Sequence, residues 1–174
     1  MDRAGLWGQS LGGRVGLVLA IHHPGRLRAL VAGATRAQAV TVDPATLEAE
    51  LRSIREHGMA IVVADLEAAG PPLPAWLRSV ILTTDPEAFA AGYAGMLDWP
   101  GVLEELADVQ APTLVLAGDR DPGFADIRAT ADGVPGARFA VLPGCGHLET
   151  FTRSDLALPA VLPFLTETLI ETPG

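Results

Sequence analysis

The apolar positions of the chain fall into two kinds of pattern, and their alternation predicts the fold class. Short apolar runs at residues 4–8, 29–34, 113–118 and 138–142 are bounded by turn residues, as in strands of a buried sheet. A longer apolar stretch at residues 11–21 has the length of a helix. Strands separated by helices favour an α/β fold. We therefore predict a four-stranded parallel sheet whose strands are joined by right-handed helical crossovers.

The middle of the chain, residues 36–100, shows helical spacing and no evident strand. Asp43 and Pro44 form a typical helix start, and the apolar residues that follow them recur every three or four positions. Two further helices are predicted, one through Trp76 and one through Tyr93. The sequence therefore predicts a segment made of three helices.

These patterns divide the chain into three parts. Residues 1–35 and 101–174 are predicted to form the core, and residues 36–100 are predicted to form a helical cap, or lid. A last helix is predicted over residues 156–170. Pro159 and Pro163 lie inside it, so we expect this helix to start late or to be kinked, because proline disrupts a helix interior.

Composition and charge narrow the classes of function. With 174 residues, of which 49% are apolar, the chain is long enough for one domain with a core. The formal net charge of −9 argues against nucleic acid and anionic membranes as partners, and no apolar run reaches membrane-spanning length. The first residues lack the basic and apolar regions of a signal peptide. We expect a cytoplasmic protein that acts on a small molecule.

The sequence shows no pattern typical of a metal or cofactor site. The four histidines are scattered and there is one cysteine, so no zinc-ligand spacing occurs. The chain has neither G-x-G-x-x-G nor a P-loop. We expect neither a metal nor a cofactor.

The most informative motif lies between the first strand and the first helix. Gly8-Gln9-Ser10-Leu11-Gly12 follows the first apolar run and opens the predicted helix. G-x-S-x-G in this strand, turn and helix context is typical of a nucleophile elbow. The turn is too tight for flanking side chains, so glycine is needed on both sides of the serine. The helix N-terminus faces the place where negative charge would develop. The alternative is that Ser10 is an ordinary small residue leading into a helix.

Two polar turns follow later strands. The strand at 113–118 runs into Asp119 and Asp121, which compete as candidate acids, and the strand at 138–142 leads to a turn that ends in His147. Ser, Asp and His in this order form a known nucleophile, acid and base arrangement, in which histidine removes the serine proton. The alternative for His147 is an ordinary loop histidine. Cys145 lies two residues earlier and is either a reactive thiol or a small packed residue.

These motifs together resemble the α/β-hydrolase family over nearly the whole chain. The resemblance rests on the elbow, the segment His23-Pro24-Gly25-Arg26-Leu27-Arg28-Ala29-Leu30-Val31, the Gly118-x-x-Asp121 turn and Gly146-His147. It implies a serine hydrolase of carboxylic esters or lactones that forms an acyl-enzyme on Ser10. His147 would act as base and then acid, and Asp121 would orient it. Asp119 would then be a turn residue that bonds its own backbone.

The resemblance also implies parts of a substrate site. The backbone N–H of Leu11, the residue after the nucleophile, would be one oxyanion donor. Gly58-Met59-Ala60 and Ala91-Gly92-Tyr93-Ala94 resemble the cap of the 3-oxoadipate enol-lactonase branch. The candidates for lining the acyl pocket, with core packing as the alternative for the aromatic residues, are Gln9, Trp76, Tyr93 and Trp99.

The resemblance does not extend to the front of the family's fold. A member has four strands before the elbow strand, and a loop there carries an H-G motif that supplies a second oxyanion donor; neither precedes the elbow here. We therefore expect a partial α/β-hydrolase with impaired activity. We also expect its exposed elbow-strand edge to favour self-association. The alternative function is a non-catalytic fragment, or a subunit whose sheet a partner completes.

Overall fold

A parallel β-sheet forms the centre of the fold. The computed structural model describes residues 3–169. In these residues four strands pair in parallel in their chain order, as the apolar runs predict. The strands are β1 (Ala4–Gln9), β2 (Leu27–Gly33), β3 (Thr113–Gly118) and β4 (Arg138–Leu142).

Helices connect the strands and make up the middle of the chain. The described helices are α1 (Leu11–His22), α2 (Pro44–His57), α3 (Met59–Ala69), α4 (Ala75–Thr83), α5 (Pro86–Leu97), α6 (Phe124–Gly133), α7 (Glu149–Thr152) and α8 (Ser154–Leu169). Short 3₁₀ turns lie at Pro24–Arg26 and Leu103–Asp108. None of the helices within residues 3–169 has the length and apolar character needed to cross a membrane. The cytoplasmic location stays a prediction.

The two central strands are buried because helices cover both faces of the sheet. Every residue of β3 is buried, and so is every residue of β2 except Arg28. On one face, α8 contributes Val161 and Phe164 to an apolar cluster with β2 and β3. On the other face, α1 packs closely against β2. A Cβ atom added to Gly16 of α1 would lie only 2.5 Å from Leu30 Cδ1. Burial on two faces explains why these strands are apolar in sequence.

The chain divides into two compact units. The core consists of Met1–Gln38 and Gly101–Gly174, and the cap consists of Ala39–Pro100. In the core, an isolated antiparallel bridge joins Gln38 and Gly101, where the chain leaves and re-enters this unit.

The cap contains four helices, one more than the sequence predicted. The starts of α2 and α5 follow the expected chemistry, because the carboxylates of Asp43 and Asp85 accept hydrogen bonds from first-turn N–H groups. The helix that was missed is α3, which begins after Gly58 with φ at +68°. Its apolar residues leave no clear amphipathic period, so periodicity does not separate it from α2.

The last helix contains both prolines, as predicted, but starts earlier than predicted. Helix α8 begins at Ser154 and continues through Pro159 and Pro163 to Leu169. Both prolines are exposed and four residues apart, so they share the solvent face, where water can satisfy carbonyls that lose an N–H partner. The expected late start was therefore wrong, and the kink stays a prediction. The predicted end at Ile170 lies outside the described residues.

Candidate active site

Ser10 occupies a sharp turn between β1 and α1. Its backbone has φ of 50° and ψ of −110°, a left-handed conformation that is rare and strained for a residue with a side chain. Its N–H donates to the Gly33 carbonyl at 2.8 Å, and its carbonyl accepts from the Arg14 N–H at 3.1 Å. The end of β2 and the first turn of α1 thus hold the serine at the carboxyl edge of the sheet.

The glycines that the elbow requires are Gly8 and Gly13. A Cβ on Gly8 would lie 2.3 Å from the backbone of Gly12, and one on Gly13 would lie 1.9 Å from Thr35 Oγ1. A Cβ on Gly12 would meet nothing within 4 Å. The expectation that Gly12 itself must lack a side chain was wrong, because the close approach falls one residue later, where α1 contacts Thr35.

The structure brings Ser10, Asp121 and His147 together. His147 Nε2 lies 3.0 Å from Ser10 Oγ, and His147 Nδ1 lies 2.8 Å from Asp121 Oδ2. An ionised carboxylate can only accept, so Nδ1 carries the proton and neutral His147 has its lone pair on Nε2. The Ser10 hydroxyl then donates to Nε2. This geometry allows His147 to take the proton of Ser10.

Asp121 is held as a buried carboxylate. Its side chain is 3% exposed, and its Oδ1 accepts from the Gly123 N–H at 2.7 Å. Burial alone would raise the pKa of Asp121. The hydrogen bonds from His147 and Gly123, together with the charges of His147 and Arg36, outweigh burial and hold this pKa below its usual value. Asp121 is therefore ionised at neutral pH.

Asp119, the other candidate acid, is bonded to the loop that follows β4. Its Oδ1 accepts from the Gly144 N–H at 2.7 Å, and the next N–H, of Arg120, donates to the Cys145 carbonyl at 2.9 Å. The expectation that Asp119 bonds its own turn was wrong. Because β3 and β4 are parallel neighbours, the turns that follow them lie side by side, and Asp119 joins the two.

The loop that carries His147 is closely packed. A Cβ on Gly118 would lie 2.1 Å from the Cys145 carbonyl, so β3 meets this loop without a side chain between them. Cys145 is fully buried, and burial, the largest effect, raises the pKa of its thiol. These observations favour the packed reading of Cys145 over a reactive thiolate. Glu149 Oε2 accepts from the Gly146 N–H at 3.1 Å and fixes the turn before the histidine.

Gln9 lies beside Ser10, but its carboxamide is directed at the histidine loop. Its Nε2 donates to the His147 carbonyl at 2.8 Å and to Thr150 Oγ1 at 2.7 Å. Its Oε1 is buried and has no hydrogen-bond partner among the described residues. The carboxamide is thus not presented to an open acyl pocket as the sequence suggested. Thr150 was not foreseen, and a lone buried threonine gives no signal in the sequence.

Leu11 is the first residue of α1. The first N–H groups of a helix have no acceptor within the helix, so the Leu11 N–H is available for an oxygen next to Ser10. Its side chain is 46% exposed. The role of Leu11 as an oxyanion donor stays a prediction.

The other three pocket candidates lie in the cap. Trp76 is 51% exposed, whereas Tyr93 and Trp99 are half-buried. Tyr93 and Phe89 help to line a cavity of about 550 Å³ within the cap. The Tyr93 hydroxyl donates to Glu50 Oε2 at 3.0 Å, and burial together with this carboxylate raises the pKa of Tyr93. Their contact with a substrate stays a prediction.

No metal site is visible in the described part of the chain. Within residues 3–169, no three or more His, Cys, Asp or Glu side chains are grouped so that they could hold an ion.

Known proteins similar to this chain include two enzymes of larger size. No family model matches the chain. It is 31% identical over 184 residues to polyketide synthase ThaQ of Burkholderia thailandensis, with 95% of this chain and 9% of that protein covered. It is 28% identical over 171 residues to a poly(3-hydroxyalkanoate) depolymerase of Ectopseudomonas oleovorans, with 92% of this chain and 60% of the depolymerase covered.

Solved structures share the fold. An enol-lactonase from Burkholderia xenovorans LB400 matches 95% of this chain and 66% of its own, with a TM-score of 0.80 and 27% identity. A thermophilic esterase from Thermogutta terrifontis matches 96% of this chain and 66% of its own, also with a TM-score of 0.80 and 27% identity. Both are α/β-hydrolases, and this chain has the α/β-hydrolase fold. The chain spans about two thirds of the length of these structures.

Proposed function

We propose that this chain carries the catalytic residues of a serine hydrolase that acts on carboxylic esters or lactones. The observation that carries the proposal is the pair of contacts made by His147, 3.0 Å to Ser10 Oγ and 2.8 Å to Asp121 Oδ2. The similarity to an enol-lactonase, an esterase and a depolymerase supports the class of substrate. The 3-oxoadipate enol-lactone is the particular substrate that the resemblance of the cap favours.

The proposed reaction proceeds through an acyl-enzyme on Ser10. As Oγ attacks the carbonyl carbon, its proton passes to His147 Nε2, and Asp121 stabilises the resulting imidazolium. The tetrahedral intermediate then collapses, the bond to the leaving oxygen breaks, and Nε2 returns the proton to that oxygen. Water then attacks the acyl carbon of the acyl-enzyme while His147 Nε2 takes a proton from the water. The bond from the acyl carbon to Ser10 Oγ breaks, the acid is released, and Nε2 returns the proton to Ser10 Oγ.

The oxyanion of the tetrahedral intermediate needs hydrogen-bond donors. We assign one of them, the N–H of Leu11, because it follows the nucleophile at the start of α1. The resemblance implies a second donor from a segment that these residues do not include. Loss of one such donor lowers turnover by about a hundred- to a thousand-fold. We infer that the 174 residues alone hydrolyse esters slowly.

Covalent labelling tests the nucleophile without requiring fast turnover. The 174-residue chain is treated with a fluorophosphonate, which phosphonylates activated serines, and the modified peptide is located by mass spectrometry. We expect label on Ser10, none there in Ser10→Ala, and unchanged labelling in Ser79→Ala, which removes an exposed cap serine. Hydrolysis of short p-nitrophenyl esters and of the enol-lactone is measured on the same samples. A folded wild-type chain with no label on Ser10 would refute the proposal.

A further inference from the structure

The residue before Ser10, Gln9, makes side-chain hydrogen bonds from the elbow to the histidine loop. Gln9 Nε2 donates to the His147 carbonyl at 2.8 Å and to Thr150 Oγ1 at 2.7 Å. The Thr150 hydroxyl donates to the same carbonyl at 2.8 Å. The His147 carbonyl therefore accepts from two side chains, which in turn bond to each other. Such a closed arrangement restricts the backbone of His147 more than either bond alone would.

This arrangement forms a second connection between the two segments that meet in the Ser10–His147 hydrogen bond. Residues 9 and 10 are covalently joined, so a restraint from Gln9 on the His147 backbone also sets the position of the imidazole relative to Ser10 Oγ. The His147 side chain is 43% exposed, so packing around the ring restricts it only in part. The other restraints are the bond to Asp121 and the backbone of the loop.

The unpaired end of the carboxamide argues against simple packing as the role of Gln9. Its Oε1 is buried without a partner among the described residues, and a Cβ on Gly33 would lie 2.3 Å from it. A buried unpaired carbonyl oxygen is unfavourable, and an apolar side chain of similar length would avoid that cost. The retained amide is explained by the two bonds that its Nε2 donates.

We propose that Gln9 is a positioning residue that holds the backbone of His147, so that Nε2 stays within hydrogen-bond distance of Ser10 Oγ. The consequence for catalysis rests on the function proposed above, whereas the positional claim does not. Gln9 acts through His147 and not on the substrate. Its loss should therefore lower the rate of Ser10 acylation and kcat, while KM stays within about two- to threefold.

The central variant is Gln9→Met, which keeps the length of the side chain and removes both donated bonds. We expect fluorophosphonate labelling of Ser10 to slow by about ten- to a hundredfold, because misplacement of a catalytic group by about 1 Å has effects of this size. Gln38→Met is the matched control. Gln38 also has a buried Oε1 without a partner among the described residues, but it makes no bond to the histidine loop, so the labelling rate should stay within about twofold.

Thr150 provides a second, independent set of variants. Thr150→Val removes the hydroxyl, and Thr150→Ser keeps it and should restore labelling to near the wild-type rate. Because Gln9 and Thr150 act on one carbonyl, the slowing in the double variant Gln9→Met with Thr150→Val should be smaller than the product of the two single effects. A purely structural role would lower the melting temperature without this coupling in the labelling rate.

A crystal structure of Gln9→Met tests the positional claim without any reactivity. We expect His147 Nε2 to lie beyond about 3.5 Å from Ser10 Oγ, or the ring to occupy two orientations. A retained hydrogen bond, or a labelling rate equal to that of the wild type, would overturn the proposal. If the wild type takes no label but Gln9→Met still displaces His147, the function proposed above fails and the positioning role stands.

Discussion

The core and the cap of this chain differ in how firmly they hold their side chains. In the core, every residue of β3 is buried, and α8 packs Val161 and Phe164 against the sheet. In the cap, α4 buries none of its residues, and α2 and α5 bury one each, Ile54 and Ala90. A chemical site needs fixed positions, and the proposed catalytic residues all lie in the core. We therefore expect substitutions to be tolerated better in the cap than in the core.

The two regions also differ in how exposed their charged side chains are. The Asp121 side chain in the core is 3% exposed. The cap ion pair between Glu48 and Arg52 involves side chains that are 74% and 62% exposed. An exposed pair contributes at most about 1 kcal/mol, whereas removing one partner of a buried group leaves the other unpaired and is more costly. Substitutions should therefore have large effects in the core and small ones in the cap.

The largest effect on activity is expected from a substitution in the core, at the proposed triad carboxylate Asp121. In Asp121→Asn, the amide can donate to His147 Nδ1 and hold the wrong tautomer, so Nε2 could no longer accept the Ser10 proton. We expect Ser10 labelling and ester turnover to fall by about 10⁴-fold. Asp119→Asn should have a smaller effect, because Asp119 only joins the two turns. Asp98→Asn, at an exposed cap position outside the cap cavity, should have none.

The ranking of these three variants is the decisive result. If Asp119→Asn lowered the labelling rate more than Asp121→Asn, the acid would have to be reassigned to Asp119. If Asp98→Asn had an effect comparable with either, the distinction between core and cap would not hold for carboxylates.

A second contrast concerns glycine in the two regions. Gly13→Ala would place a Cβ 1.9 Å from Thr35 Oγ1, so we expect a loss of about 1–3 kcal/mol in the free energy of unfolding. Gly95→Ala in α5 meets nothing within 4 Å, so it should stabilise the chain by up to about 1 kcal/mol through helix propensity. Urea titrations of both variants measure these values. Equal effects at the two positions would contradict the close packing of Gly13 against Thr35 in the elbow.

The fold was largely predictable from the sequence, because strands buried on both faces appear as apolar runs. The Ser, Asp and His positions were also accessible, since each follows a strand that ends at the same edge of the sheet. Other features depend on contacts that are distant in sequence. Gln9 meets His147 across 138 residues, and no local pattern reports that contact. Likewise, only the position of Thr35 explains why Gly13, and not Gly12, must be glycine.

A third contrast concerns exposed tryptophans, one in each region. In the described sheet β1 is an edge strand, and Trp7 on it is 40% exposed, close in sequence to exposed Leu11 and Val15. Unpaired strand edges next to apolar surface promote association. We expect the chain at tens of micromolar to form dimers or larger species that bind the dye ANS.

The tryptophan pair allows a matched test by light scattering. Trp7→Lys should weaken association by about tenfold or more, because a buried large apolar side chain contributes roughly 1.5–3 kcal/mol. Trp76→Lys in the cap should leave association unchanged, although Trp76 is 51% exposed. A wild-type monomer with no dye binding and a cooperative melt would show that the edge of β1 is stable without a partner.

The smallest expected effect compares two carboxyl groups whose pKa values are both lowered. The pKa of Asp121 is lowered in the buried site, where the hydrogen bonds described above outweigh the effect of burial. The pKa of Asp43 is lowered by hydrogen bonds from Thr46 at the exposed start of α2. A lowered folded-state pKa adds stability above the unfolded value, about 3.9 for aspartate, and this stability is lost as the pH falls through the folded-state pKa.

The free energy of unfolding is measured from pH 7 to pH 3 for the wild type, Asp121→Asn and Asp43→Asn. We expect the stability advantage of the wild type over each variant to begin to fall below about pH 4 and to be lost only below the folded-state pKa of that carboxyl group. Adding 1 M NaCl at pH 7 should reduce the advantage over Asp43→Asn, because salt screens exposed charges, and should leave the advantage over Asp121→Asn nearly unchanged. An equal response of both variants to salt would mean that the Asp121 carboxylate is as accessible to solvent as one on the cap surface.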